Sequence, residues 1–176
     1  MLLGGDQEPI CPCGIENTPF HAESCRTRQR GTATRHDTIR GVLARAMRVA
    51  YPSRTIKEEP PFDSRDPTGH RADISVLGPP GETFYDLTVV SVHASSVKAR
   101  PPLQVLDEAA KAKIAKYRAH GKDFFPLVLS VGGLCELKTA KFYRDLQKNY
   151  VGSNFLDGQL STLLTRYRTR PYLLLN

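Results

Sequence analysis

The stretch from Arg71 to Val92 constrains this chain more than any other. It holds two β-prone runs, 71–77 (Arg-Ala-Asp-Ile-Ser-Val-Leu) and 83–92 (Thr-Phe-Tyr-Asp-Leu-Thr-Val-Val-Ser-Val), separated by Gly78-Pro79-Pro80-Gly81. Runs rich in β-branched and aromatic residues on either side of a glycine-proline turn predict an antiparallel hairpin. Each predicted strand carries an aspartate in its interior, Asp73 and Asp86. Aspartate is disfavoured in strands and costs free energy to bury uncompensated. One such residue would most simply pair with an arginine. Two on neighbouring strands point to a shared compensator, and a divalent cation is the simplest. Mg²⁺ accepts one or two carboxylates and keeps waters and substrate phosphate as its other ligands. That donor set suits hydrolysis of a phosphodiester, in which the cation activates water and offsets charge on the phosphate.

The elements around the hairpin predict a layered α/β fold. Ile39, Val42, Leu43, Ala46, Met47 and Ala50 recur at helical spacing, so a helix is expected over 36–50, ended by Tyr51-Pro52. A short strand is expected at 54–57. A second helix is expected over 103–119, with Gly121 as its stop. Residues 124–131 are almost wholly apolar, as in a strand buried on both faces. Two amphipathic helices are expected at 136–150 and 154–168. The order is αβββαβ followed by helices, which predicts a mixed sheet with helices packed on it.

The net charge is +7, and the excess is concentrated. Eight arginines and a single acid, Asp37, fall between Arg26 and Arg54. Arginine suits bidentate contact with phosphate, so a polyanionic partner is expected; a solvated basic helix face would look the same in sequence. Arg28, Arg30, Arg35, Arg40 and Arg71 are the candidate contacts. No apolar run is long enough to span a bilayer and no signal peptide opens the chain, which argues against a membrane partner and for a reducing compartment.

Three of the four cysteines lie near the start, in Cys11-x-Cys13-x7-His21-x3-Cys25. Four sulfur and nitrogen ligands within fifteen residues fit a closed, structural zinc site. His36 is a substitute ligand, given the tight Cys-x-Cys bite. Cys135 is expected to be a buried small hydrophobe, and His70, His93 and His120 to have no catalytic role. Residues 1–35 are therefore expected to form a zinc knuckle with a basic linker, and 36–176 the main domain.

Twelve residues separate Asp73 from Asp86, a spacing similar to the PD-(D/E)xK nuclease pattern. That pattern places lysine two residues after the second acid, where this chain has Thr88. The departure resembles one group in particular, the restriction-like endonuclease domain of site-specific non-LTR retrotransposons. The matching features, in order, are the Cys11/Cys13/His21/Cys25 knuckle, Arg35-His36-Asp37 opening a helix, Arg71-Ala72-Asp73, Asp86-Leu87-Thr88-Val89-Val90, and Lys113-Ile-Ala-Lys116-Tyr117. Ala72 stands where that family has proline, and Cys-x-Cys replaces its usual Cys-x-x-Cys. The resemblance implies a PD-(D/E)xK core with Asp73 and Asp86 as ligands for Mg²⁺ or Mn²⁺. It implies that the catalytic lysine has moved to the helix, as Lys113 or Lys116. Related nucleases recruit an acid from the region before the hairpin, which makes Glu59 a further candidate ligand. It implies a nuclear enzyme that nicks double-stranded DNA to prime reverse transcription, with element RNA as a further partner and a larger reverse-transcriptase polyprotein as its setting. Two rivals remain: an inert nucleic-acid-binding module on the same fold, and a repair or junction-resolving nuclease. The second would be expected to keep its lysine where Thr88 stands.

Overall fold

A computed structural model describes residues 10, 11, 13–16, 18, 21, 25, 32–63, 69–94, 100–150 and 153–173. Its elements follow the expected order: α1 (Thr32–Ala50), β1 (Thr55–Glu58), β2 (Ile74–Gly78), β3 (Gly81–Val90), α2 (Pro102–Tyr117), β4 (Asp123–Ser130), α3 (Leu137–Asn149) and α4 (Ser153–Leu173). The sheet order is β1-β2-β3-β4, antiparallel between the first three strands and parallel between β3 and β4. The chain is thus a mixed α/β fold with a four-stranded mixed sheet flanked by helices.

Alternation along the strands divides the core. Ile74, Val76, Leu87, Leu127 and Leu129 face α1, α3 and α4, where Ile39, Met47, Leu146 and Leu156 complete the largest apolar cluster. Burying each of these large side chains contributes about 1.5–3 kcal/mol. On the other sheet face, Val128 packs against Leu106 and Ala110 of α2, and Phe84 joins Phe62, Ala72 and Tyr117. Asp86 shares this second face, because it is two residues from Phe84 on the same strand.

Some boundaries differ from expectation, for local reasons. α1 begins at Thr32, so Arg35 lies on the helix and not in a linker. Asp73 is not inside a strand, since β2 starts one residue later at Ile74. There the Asp73 carboxylate itself accepts the Leu87 amide proton at 2.6 Å, in the place of a main-chain carbonyl. β4 is an edge strand that is buried from Pro126 to Ser130 by the helices on its faces. An edge tolerates Pro126, which has no amide proton to give to a further strand. Gly121 stops the second helix as expected: a 3₁₀ turn, Arg118–His120, follows α2 and ends on Gly121 at φ 60°. Cys135 is only half-buried, against the expectation of full burial. Among the described residues, no helix is long and apolar enough to cross a membrane.

Candidate active site and metal cluster

Three elements converge on the two aspartates. From α1, His36 places Nε2 3.0 Å from Asp73 Oδ2 and 3.1 Å from the Leu87 carbonyl. Its Nδ1 lies 3.3 Å from Asp37 Oδ1. The hydrogen bond to Asp73 lifts the His36 pKa to about 9, against burial that would lower it, with the Asp73 charge and hydrogen bonds to Asp37 and the Leu87 carbonyl adding to the lift. Both ring nitrogens therefore carry protons at neutral pH, and the imidazolium donates to an acid on either side. The expected zinc role for His36 is not what the structure shows, because its ring is engaged at Asp73.

This pairing has a consequence for stability. A folded pKa near 9, above the ordinary 6.5, means that His36 contributes stability fully below pH 6.5 and loses it as pH rises through 9. In buffer without added divalent metal, the Tm of wild type is expected to fall across that window relative to His36→Gln. Parallel Tm-against-pH curves for the two proteins would overturn the assignment.

Asp86 is buried and has both oxygens engaged. Lys113 Nζ from α2 lies 2.6 Å from Oδ2, and the Tyr117 hydroxyl donates to Oδ1 at 3.1 Å. Thr88 Oγ1 is 3.5 Å from Oδ2, so the residue standing where lysine was expected still lies beside the acid. Lys113 and Tyr117 are four residues apart and so lie on one face of α2. Burial pushes the Tyr117 phenol up to about 12, and the Asp86 charge adds to the shift, so the hydroxyl remains a donor.

The other sequence candidates separate. Lys116 is exposed, with its ammonium 4.9 Å from the centre of the Tyr117 ring. Lys111, outside the pair, bonds Asp107 at 2.6 Å. Glu59 is adjacent to Asp73 through its backbone, donating its amide to the Asp73 carbonyl at 2.9 Å. Its carboxylate, however, is held by Arg40 at 2.7 Å, and its carbonyl by Arg71 at 2.9 Å. Glu59 also sits at φ 51°, an uncommon conformation for a side chain other than glycine. Arg40 contacts Asp37 as well, at 3.4 Å, so its guanidinium is committed to acids flanking the site. Arg35 is half-buried on α1, Arg71 is exposed, and Arg28 and Arg30 lie outside the described residues.

The second site is the Cys/His cluster. Cys11, Cys13, His21 and Cys25 bring one ligand atom each to within 4.8 Å of one another. Among the described residues this is the one grouping of three or more His, Cys, Asp or Glu ligands close enough to hold an ion. Cys11 Sγ and Cys25 Sγ are 3.7 Å apart, and Cys13 Sγ is 3.1 Å from His21 Nε2. The sulfur spacing is far beyond a disulfide bond. It matches the roughly 3.8 Å edge of a tetrahedron with 2.3 Å zinc–sulfur bonds. Burial alone would raise the Cys11 thiol, but hydrogen bonds from the Cys13 backbone and from His21, Cys13 and Cys25 bring it down to about 6. A thiolate is the form that binds metal. The four residues can therefore bind a metal such as zinc.

Sequence reasoning missed the roles of His36 and Tyr117 at the aspartates. His36 is 37 residues from its partner, and the sequence carries no local signal of that contact. Tyr117 was legible as an apolar-face residue of its helix and as the last residue of the Lys113–Tyr117 motif, with no role attached to its hydroxyl. No family model and no curated protein matches this chain.

Proposed function

We propose that the chain is a metal-dependent DNA endonuclease on a PD-(D/E)xK-like core, of the kind carried by site-specific non-LTR retrotransposons. The observation that carries this reading is the 2.6 Å contact of Lys113 with Asp86. It supports a lysine delivered from a helix to the second acid, in place of one on the acid's own strand. Asp73 and Asp86 would hold Mg²⁺ or Mn²⁺, which when bound supplies an activated water and offsets charge on the phosphate. The donor set fits: two carboxylates from neighbouring segments, with Asp73 using only Oδ2 in its contacts to His36 and Leu87.

The chain's own groups then have distinct tasks. His36 and the Leu87 amide fix the Asp73 carboxylate. Lys113 brings a positive charge to the place where a scissile phosphate would carry its negative charge. The Cys/His element, with zinc in a structural role, and the arginines of the segment 26–54 other than the acid-paired Arg40 would hold the double-stranded target through its backbone. In the wider reading, the nick supplies a 3′-hydroxyl for reverse transcription in the nucleus, by a polyprotein that also engages element RNA. Glu59 is a third metal ligand only if it leaves Arg40.

Nicking of a supercoiled plasmid in Mg²⁺ or Mn²⁺ tests the assignment. Wild type is expected to nick and Asp86→Ala to remain at background. Equal activity in the two proteins would sink it. A second reading, an inert nucleic-acid-binding module, is favoured by Thr88 and by the engagement of both Asp86 oxygens by side chains. Tight, steeply salt-dependent DNA binding without nicking would select that reading.

A further inference from the structure

We propose that Tyr117 is the positioning residue that orients Asp86 toward its divalent cation, through the phenolic hydroxyl; this rests on the metal-site reading above. The hydroxyl donates to Oδ1 at 3.1 Å while Lys113 holds Oδ2 at 2.6 Å. Two donors on the two oxygens fix the rotation of the carboxylate plane, which one donor alone does not. The ring in turn has little freedom. Phe62 stacks on it at 4.7 Å between centroids and Phe124 lies 4.8 Å away. Its α2 position, four residues beyond Lys113, sets both donors by a single helix placement. The packing itself would be served equally by phenylalanine, since Phe62, Phe84 and Phe124 make up most of that cluster. The hydroxyl is the part of Tyr117 that the core does not require, and Asp86 is where it goes. Removing a residue that orients a metal ligand typically costs roughly 10–100-fold in metal affinity or activity.

Tyr117→Phe separates the hydroxyl from the ring. Mn²⁺ binding, followed by the loss of the free-ion paramagnetic resonance signal on titration of the full chain, is expected to weaken by at least about tenfold. Half-saturation of nicking should move by the same factor, with the rate at saturating Mn²⁺ changed far less. Phe62→Leu is the packing control: it loosens the ring stack and keeps the hydroxyl, so it should lower Tm and leave Mn²⁺ affinity close to wild type. Placing 4-aminophenylalanine at position 117 restores a donor on the same ring and should recover the affinity. Unchanged Mn²⁺ affinity in Tyr117→Phe would overturn the inference, as would an equal loss in Phe62→Leu or a failure of the amino analogue to recover it. Wild type that binds Mn²⁺ with this Tyr117 dependence and leaves plasmid intact upholds the inference while removing the nuclease reading.

Discussion

Lys113→Ala is expected to reduce plasmid nicking by about 10²–10³-fold, whereas Lys116→Ala should cost less than about tenfold. The two lysines are three residues apart and so share a helix face, yet their ammonium groups have different surroundings. Lys113 Nζ is 2.6 Å from a carboxylate oxygen of Asp86, and its side chain is only 28% exposed. Lys116 is exposed and lies over the Tyr117 ring. A preorganised charge in a partly dry site acts on the transition state at full strength, while an exposed one is screened by water. Removing Lys113 also leaves Asp86, 7% exposed, with Tyr117 as its principal donor. A buried carboxylate stripped of its counter-charge destabilises the fold, here by about 2 kcal/mol after allowance for the lysine's partial exposure. For a chain of this size that is a fall in Tm of roughly 4–8 °C. Mn²⁺ should return part of the lost stability, because a cation at Asp86 replaces the missing ammonium charge. Equal nicking by Lys113→Ala and wild type would exclude the lysine from the chemistry. A Tm loss with no nicking loss would leave it a structural counter-ion only.

The preference for Lys113 over Lys116 marks where sequence reasoning runs out. The αβββαβ order was legible because apolar periodicity reports which face of each element is buried, and the core is built from those positions, Ile39 and Met47 on α1 among them. The lysine pair was legible as a pair, because helical spacing places both on one face. Choosing between them requires the rotation of α2 against the sheet, which is set by Leu106 and Ala110 packing on Val128. Asp73 shows the converse. Its β-prone neighbours predict a continuous strand, but its carboxylate takes the Leu87 amide and β2 begins only after it. A polar side chain that competes for backbone donors shifts an element boundary in a way propensity cannot foresee. His36 was visible as a helix-opening residue and as a possible zinc ligand. Its contact with Asp73 depends on how α1 docks, which no local pattern encodes.

The Cys/His cluster, by contrast, is confined to fifteen residues, and its legibility leads to the second large expected effect. The chain should bind one Zn²⁺ through Cys11, Cys13, His21 and Cys25, with an apparent binding free energy on the order of 10–16 kcal/mol at neutral pH. Among its described residues, the segment has few contacts that would fold it without the metal. Its described backbone contacts are short-range, including Cys11 N–H to the Ile15 carbonyl at 2.8 Å and Cys25 N–H to the His21 carbonyl at 2.8 Å. Of its ligands only Cys11 and Cys25 are buried, and among the described residues of the segment no large apolar side chain is buried. Metal binding would therefore be the dominant source of order there. Replacing Zn²⁺ with Co²⁺ should give the strong visible absorption of a tetrahedral thiolate site, lost in Cys25→Ser and retained in Cys135→Ser. Stripping the metal should open the cluster to proteolysis while the sheet core, whose apolar clusters contain none of the four ligands, keeps its own melting transition. A tetrahedral Co²⁺ spectrum that survives Cys25→Ser would break the four-ligand assignment. Loss of the core transition together with the metal would show instead that the cluster and the sheet fold as one unit.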